Sequence, residues 1–252
     1  MRRLMTLLFL VLALPATSEE VVLGLSKDKV AITATFDGSE ILVFGAVKRE
    51  APISEEPLDV IVAIAGPTEP VVVRRKEKRF GIWVNTEALE VDEAPSFYAI
   101  ATTGPLDQVL SNVEDLRHKV TIPRAIRSVG APRSVADAQS FTDAIIRIRS
   151  DNGTYALQEG SVALDEQTLF RTSIKLPSNL TEGIYPTRIF LTRQGKVVSL
   201  FETTIDVQKV GLERWLYNLS REMPLIYGLM SLAIAIAAGW GASAAFQVLR
   251  QR

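Results

Sequence analysis

Cysteine is absent from all 252 residues, and His118 is the one histidine. The first absence removes disulfide staples, thiol nucleophiles, thiolate metal sites and iron–sulfur clusters. The second leaves little for zinc or copper, which favour nitrogen and sulfur ligands. No Asp-x-Asp-x-Asp-Gly loop offers calcium an oxygen cage. Carboxylate-only calcium or magnesium sites stay open, but no residue is assigned as a catalytic, cofactor or metal site. A positive surplus is missing too. With Arg2, Arg3, Arg250 and Arg252 set aside from the 28 Lys and Arg, 24 remain against 29 Asp and Glu, a net charge of −5. Nucleic acid is not expected as a partner of such a body.

Charge is also missing from two stretches, and these set the expected address of the chain. Arg2 and Arg3, the uncharged run Leu4 to Leu14, and Pro15-Ala16-Thr17-Ser18 follow the order of a secretory signal peptide over residues 1–18. No cysteine follows that run, so a lipoprotein anchor is excluded. Near the other end, Pro224 to Leu249 holds 26 residues without Asp, Glu, Lys, Arg or His. As a helix it reaches about 39 Å, enough to cross a hydrocarbon core of about 30 Å with some tilt. Trp215, Tyr217 and Tyr227 precede the span, where amphipathic rings settle among headgroups, and Arg250 and Arg252 follow it. Positive charge stays cytoplasmic, so the body is expected outside and residues 250–252 inside.

Between the ends the pattern is mainly β. Val30, Ile32, Ala34 and Phe36 alternate with smaller or polar neighbours, Asp37-Gly38 suggests a tight hairpin, and Ile41 to Val47 returns. Val60 to Ala65, Val71 to Val73, Ile82 to Val84 and Phe97 to Ala101 are further short apolar runs, separated by Gly66-Pro67, Asn85 and Ala94-Pro95. Residues 19–104 thus read as an immunoglobulin-like sandwich. Residues 105–150 change period: Leu106, Val109, Leu110 and Val113, then Ala138, Phe141, Ile145 and Ile148, recur at helical spacing. Ser134 or Ser140 would cap the second helix, and Pro123 and Gly130-Ala131-Pro132 mark a linker. Strands resume over 151–210: Tyr155 to Leu164, Leu169 to Leu176, Tyr185 to Thr192 and Val197 to Val207, with Gln194-Gly195 as a turn. Phe201, Ile205 and Val207 fall on one face and Glu202, Thr204, Asp206 and Gln208 on the other. Residues 211–223, with Leu212, Trp215, Leu216 and Leu219, form an amphipathic helix before the span at 224–249. The expected architecture is two β-sandwich-type modules, a helical connection between them, and one C-terminal transmembrane helix.

Few residues suggest chemistry. His118 lies among Arg117, Lys119 and Asp115, and reads as a helix-end or loop histidine; a hydrolase triad of Asp115, His118 and a serine is the alternative. Glu19-Glu20 and Glu55-Glu56 suit solvated loops, and the Asn152, Asn179 and Asn218 glycosylation patterns matter only where a cell reads them. Arg74, Arg75, Lys76, Lys78 and Arg79 pack five cations into six residues. They read as a solvated hairpin turn or as a surface for headgroups, a small anion or an acidic partner. In the span, Ala233, Ala237, Gly241 and Ala245 recur every fourth residue beside Ala235, Gly239 and Ser243. Such rows let helix backbones approach closely in lipid.

Leu25-Ser26, Val30-Ala31-Ile32-Thr33, Phe36-Asp37-Gly38, Phe44-Gly45-Ala46, Arg74-Arg75-Lys76 with Gly81-Ile82-Trp83-Val84-Asn85, and the closing span together resemble a family of alphaproteobacterial single-pass transmembrane proteins. The family has no established activity, so no catalytic residue carries over. The resemblance implies a periplasmic body on an inner-membrane anchor. It also implies an accessory role beside a transporter such as a sulfite-exporter-like permease, because the genes often lie together. Self-association through the span is the other partner expected. An alkaline-phosphatase fusion after Val210 should be active and one after Arg252 inactive; the opposite result reverses the topology.

Overall fold

The computed structural model describes residues 19–33, 36–49, 56–128 and 137–250, and the backbone alone at residues 19, 20, 212–214, 244, 245 and 247–250. The expected signal segment, Ser134, and the Gly130-Ala131-Pro132 linker lie outside the described residues. The body opens with β1 (Glu19–Leu25), β2 (Lys29–Ile32), β3 (Ser39–Arg49), β4 (Asp59–Ala65), β5 (Thr68–Arg79), β6 (Ile82–Pro95) and β7 (Tyr98–Thr102). Helices α1 (Leu106–Val109), α2 (Asn112–His118), α3 (Ile122–Ala125) and α4 (Ala138–Asp151) come next. They lead to β8 (Tyr155–Gln158), β9 (Ala163–Asp165), β10 (Leu169–Leu176), β11 (Gly183–Arg193) and β12 (Lys196–Lys209). Helices α5 (Leu212–Glu222) and α6 (Pro224–Arg250) close the chain.

The strands form a four-stranded sheet in the order β1-β3-β10-β9, a six-stranded sheet in the order β2-β12-β11-β4-β7-β8, and a β5-β6 ribbon. Pairing does not follow the division read from sequence. Strand β3 pairs with β10, β4 with β11 and β7 with β8, so the 19–104 and 151–210 stretches share both large sheets. The β7–β8 pair is parallel. Parallel neighbours need a long crossover, usually helical, and α1 to α4 are that crossover.

The Asp37-Gly38 hairpin is not formed, because β2 lies beside β12 while β3 runs between β1 and β10. Gly38 does take φ 119°, and a Cβ there would stand 2.9 Å from the Leu176 carbonyl oxygen, so the position excludes side chains for a different reason. Asn85 is not a turn either: it sits in β6 beside a bulge, where Arg75 pairs with Glu87 and Lys76 with Asn85. Pro123 lies inside α3 at its first turn, where its missing N–H costs nothing. The cap of α4 is Asp137, whose carboxylate accepts from the Ser140 backbone N–H at 3.2 Å.

Strand β7 is buried at all five positions and β4 at its five central ones. A strand buried on both faces needs a layer on each side. On one side, Ile61, Ala63, Tyr98, Ile100 and Phe190 meet Val109, Leu110, Val120, Ile126 and Ile145 of the helical section and Val91 and Ala94 of the ribbon. On the other, β10 lies against β7, and the four-stranded sheet buries Ile41, Val43, Phe170 and Ile174. Each such side chain contributes about 1.5–3 kcal/mol, against at most about 1 kcal/mol for an exposed ion pair. The fold rests on this core.

The ribbon is an excursion between adjacent strands. At its base the Gly66 N–H donates to the Phe97 carbonyl at 2.7 Å and the Ser96 N–H to the Pro67 carbonyl at 2.8 Å. The described residues divide into two compact units, one up to Val30 and within Asp37–Val207, the other within Ala31–Phe36 and from Gln208 onward. In the second, the Met223 N–H closes α5 on the Leu219 carbonyl at 3.0 Å, and Pro224 starts α6.

Three buried phenols make the body sensitive to alkali. Burial raises Tyr98 above its ordinary value, opposed by the Arg188 guanidinium; burial also raises Tyr155, opposed by Arg149, and Tyr185. The unfolded chain releases these protons near the ordinary phenol value of about 10. The contribution of these three phenols to stability is therefore fully present below about pH 10 and is lost as pH climbs through the raised folded values. Tyr98→Phe should flatten part of that alkaline loss, while costing about 1–2 kcal/mol at neutral pH, because Arg188 and the Val120 carbonyl lose a partner. Thermal melts from about pH 7 to 11 read both effects.

Candidate functional site

Two groups of residues carry unspent chemistry, and a third turns out to be structural. The third is the cluster around His118. Ser111 caps α2 by accepting from the Glu114 N–H, and Lys119 ends the helix with φ 50°. That left-handed residue turns the chain sharply, and the Asp115 carboxylate fills the turn. It accepts from the Val120 N–H at 3.1 Å, the Thr121 N–H at 2.8 Å and the Thr121 hydroxyl at 2.8 Å. Arg188, reaching from β11, donates to the His118 carbonyl at 2.6 Å, the Lys119 carbonyl at 3.1 Å and the Tyr98 hydroxyl at 3.0 Å. The imidazole rests edge-on against Phe190, with Nε2 at 3.4 Å from Glu114 Oε2 rather than from Asp115. The Asp115–His118 pair of the triad alternative is thus not formed, because Asp115 is committed to backbone N–H groups.

The first group is the basic ribbon. Its cations lie along β5 rather than in a turn; the turn is Phe80-Gly81, with φ 50° and 86°. Arg75 separates from the rest. It donates to Glu87 at 2.8 Å and to the Ser140 hydroxyl, stacks 4.8 Å from the Phe141 ring centre, and so ties the ribbon to α4. Arg79 pairs with Glu77 at 3.3 Å. Among the described residues, Arg74, Lys76 and Lys78 have no ion-pair partner and are exposed. Strand pairing sets Lys78 opposite Trp83 and Arg79 opposite Ile82. Exposure is 107% at Phe80, 65% at Ile82 and 68% at Trp83, so the cations share the ribbon end with three unburied apolar side chains. The sequence shows these three beside the charges, but a charge run draws the eye to itself as the turn, when Gly81 is the better turn marker.

The second group lies on α6. Ala233, Ala235, Ala237, Gly239, Gly241 and Ser243 are exposed, and a Cβ added at Gly239 or Gly241 would meet nothing within 4 Å. Ala245 belongs to the backbone-only residues. Over Pro224–Ser243 the helix is long and apolar enough to cross a membrane, and none of that stretch is buried. Glu56, from the expected acidic loops, accepts from the Gln194 side chain at 2.9 Å.

The charge cluster is the more sensitive place to test the structural assignment. Asp115→Ala should strand the Val120 and Thr121 N–H groups and cost about 2–3 kcal/mol, several degrees in Tm, while His118→Ala should cost no more than about 1 kcal/mol. Equal losses in thermal melts of the two variants would show that the imidazole, not the carboxylate, holds the turn.

No curated protein matches the chain. A family described as "Putative transmembrane protein (Alph_Pro_TM)" matches residues 20–248, body and span together. With one span-length apolar helix and a match running from β1 almost to the end of α6, the chain belongs to this alphaproteobacterial transmembrane family.

Proposed function

We propose that the protein is a membrane-anchored accessory protein of the inner membrane. Its body faces the periplasm, and its span binds another integral membrane protein. The observation that carries this reading is the bare surface of α6, where Gly239 and Gly241 leave open space and no part of the apolar stretch is buried. Lipid tails are as apolar as leucine, so helices in a bilayer associate through close van der Waals packing, which small residues permit. An anchor alone needs no such rows and is served equally well by bulky aliphatic residues. The Trp215 and Tyr217 rings, about half exposed on α5, suit the outer headgroup level. A sulfite-exporter-like permease is the partner class that the family resemblance suggests, and a second copy of the chain is the other candidate.

Gly239→Ile and Gly241→Ile should each weaken the association by about 1 kcal/mol or more, without loss of insertion. Leu229→Ile and Leu232→Ile, of nearly equal volume, are the controls. Co-purification from native membranes and exchange between differently tagged copies separate a foreign partner from self-association. Unchanged yields in the glycine variants would leave α6 as an anchor only.

A further inference from the structure

We propose that the end of the β5–β6 ribbon is a second, reversible membrane contact. In it Phe80, Ile82 and Trp83 enter the headgroup region of an anionic phospholipid bilayer, and Lys76, Lys78 and Arg79 meet lipid phosphates. Three observations meet at this place. The first is backbone conformation. A two-residue turn with positive φ at both positions is relaxed by Asn-Gly, yet here an aromatic residue holds φ 50°. Neither packing nor the turn asks for Phe80, which is fully exposed. The second is charge. Residues 74–85 carry five cations and one carboxylate, Glu77, in a body whose net charge is −5. Arg75 is committed to Glu87 and to α4, while Arg74, Lys76, Lys78 and the Glu77-paired Arg79 are exposed. The third is composition: Trp beside Lys and Arg suits an interface where rings sit at headgroup depth and long cationic stems reach for phosphate.

Composition and shape decide between a bilayer and a protein as the occupant. Protein interfaces are apolar at their core and depleted in lysine, whereas this tip sets Lys78 opposite Trp83 and Arg79 opposite Ile82 on the ends of two strands. A bilayer surface has no pocket to match and admits a narrow tip. The contact need not be strong, because the span already holds the body at a membrane and makes the second binding event intramolecular. This inference rests on that anchorage and is independent of any partner of α6.

Because the chain has no cysteine, Asn85→Cys carries a single environment-sensitive fluorophore. Residue 85 is exposed and pairs with Lys76, leaving the tip intact. Full-length labelled protein is reconstituted into phosphatidylcholine vesicles with or without about 30% phosphatidylglycerol. The expected result is a blue shift and quenching by headgroup-attached nitroxide lipids in the anionic vesicles, reduced severalfold by about 0.5 M salt. Phe80→Asn with Trp83→Thr should abolish the quenching, and Lys76→Ser with Lys78→Ser and Arg79→Ser should reduce it about tenfold. Phe80→Asn relieves the turn, so an unchanged or raised Tm for that single variant separates lost contact from lost folding. Emission that is equal and unquenched in both vesicle types overturns the proposal. So does protection that appears only in native membranes and crosslinks residue 85 to a protein. The glycine substitutions in α6 are read by co-purification, so either proposal can fail alone.

Discussion

The burial of β7 on both faces is the constraint from which the body follows. None of its five residues, Tyr98 to Thr102, reaches solvent, so each face needs a cover and each edge a partner. Strand β4 supplies one edge in antiparallel pairing, which lets the ribbon leave and return between them. Strand β8 supplies the other edge in parallel pairing, which obliges the chain to travel the length of the sheet first. That journey is the helical section, and its apolar side chains are the cover for one face. The Tyr98 hydroxyl, at the start of β7, donates to the Val120 carbonyl at 2.8 Å and so fastens the cover to the strand beneath.

Local order was legible in the sequence where one face is wet. The alternation of β12 placed Ile205 and Val207 inward and Glu202 and Thr204 outward, as the burial of that strand has it. The bounds of β10, the Gln194-Gly195 turn, and the buried Phe141 and Ile145 of α4 were equally plain. Partners were not legible, because alternation says which way a side chain faces and nothing about which strand lies alongside. That is why two stretches separated by helices read as two modules, although β3 joins β10 and β4 joins β11.

The candidate site was half legible. Five cations in six residues announce themselves, but the ribbon that carries them is wet on both faces beyond Arg75, so its charges mask the strand period. Short apolar runs at Val71 to Val73 and Ile82 to Val84 therefore marked only parts of strands that span Thr68–Arg79 and Ile82–Pro95. The division of labour among the cations needs tertiary structure: only the Ser140 hydroxyl and the Phe141 ring distinguish Arg75 from its neighbours. On α6 the reverse holds, since spacing alone reveals small-residue rows and the fold adds that nothing among the described residues covers them.

The two backbone hydrogen bonds at the ribbon's base, Gly66 to Phe97 and Ser96 to Pro67, make the sheet continuous beneath the excursion. The outer half of the ribbon is thus an appendage whose length can change without disturbing the core beneath it. Insertion or deletion of one residue on each strand moves the turn by about 3.4 Å and exchanges the two faces, whereas two on each strand restores them. Lengths in this family should therefore vary between Lys76 and Asn85 in steps of four residues, with the inner half, which holds Val91 and Ala94 in the core, staying fixed.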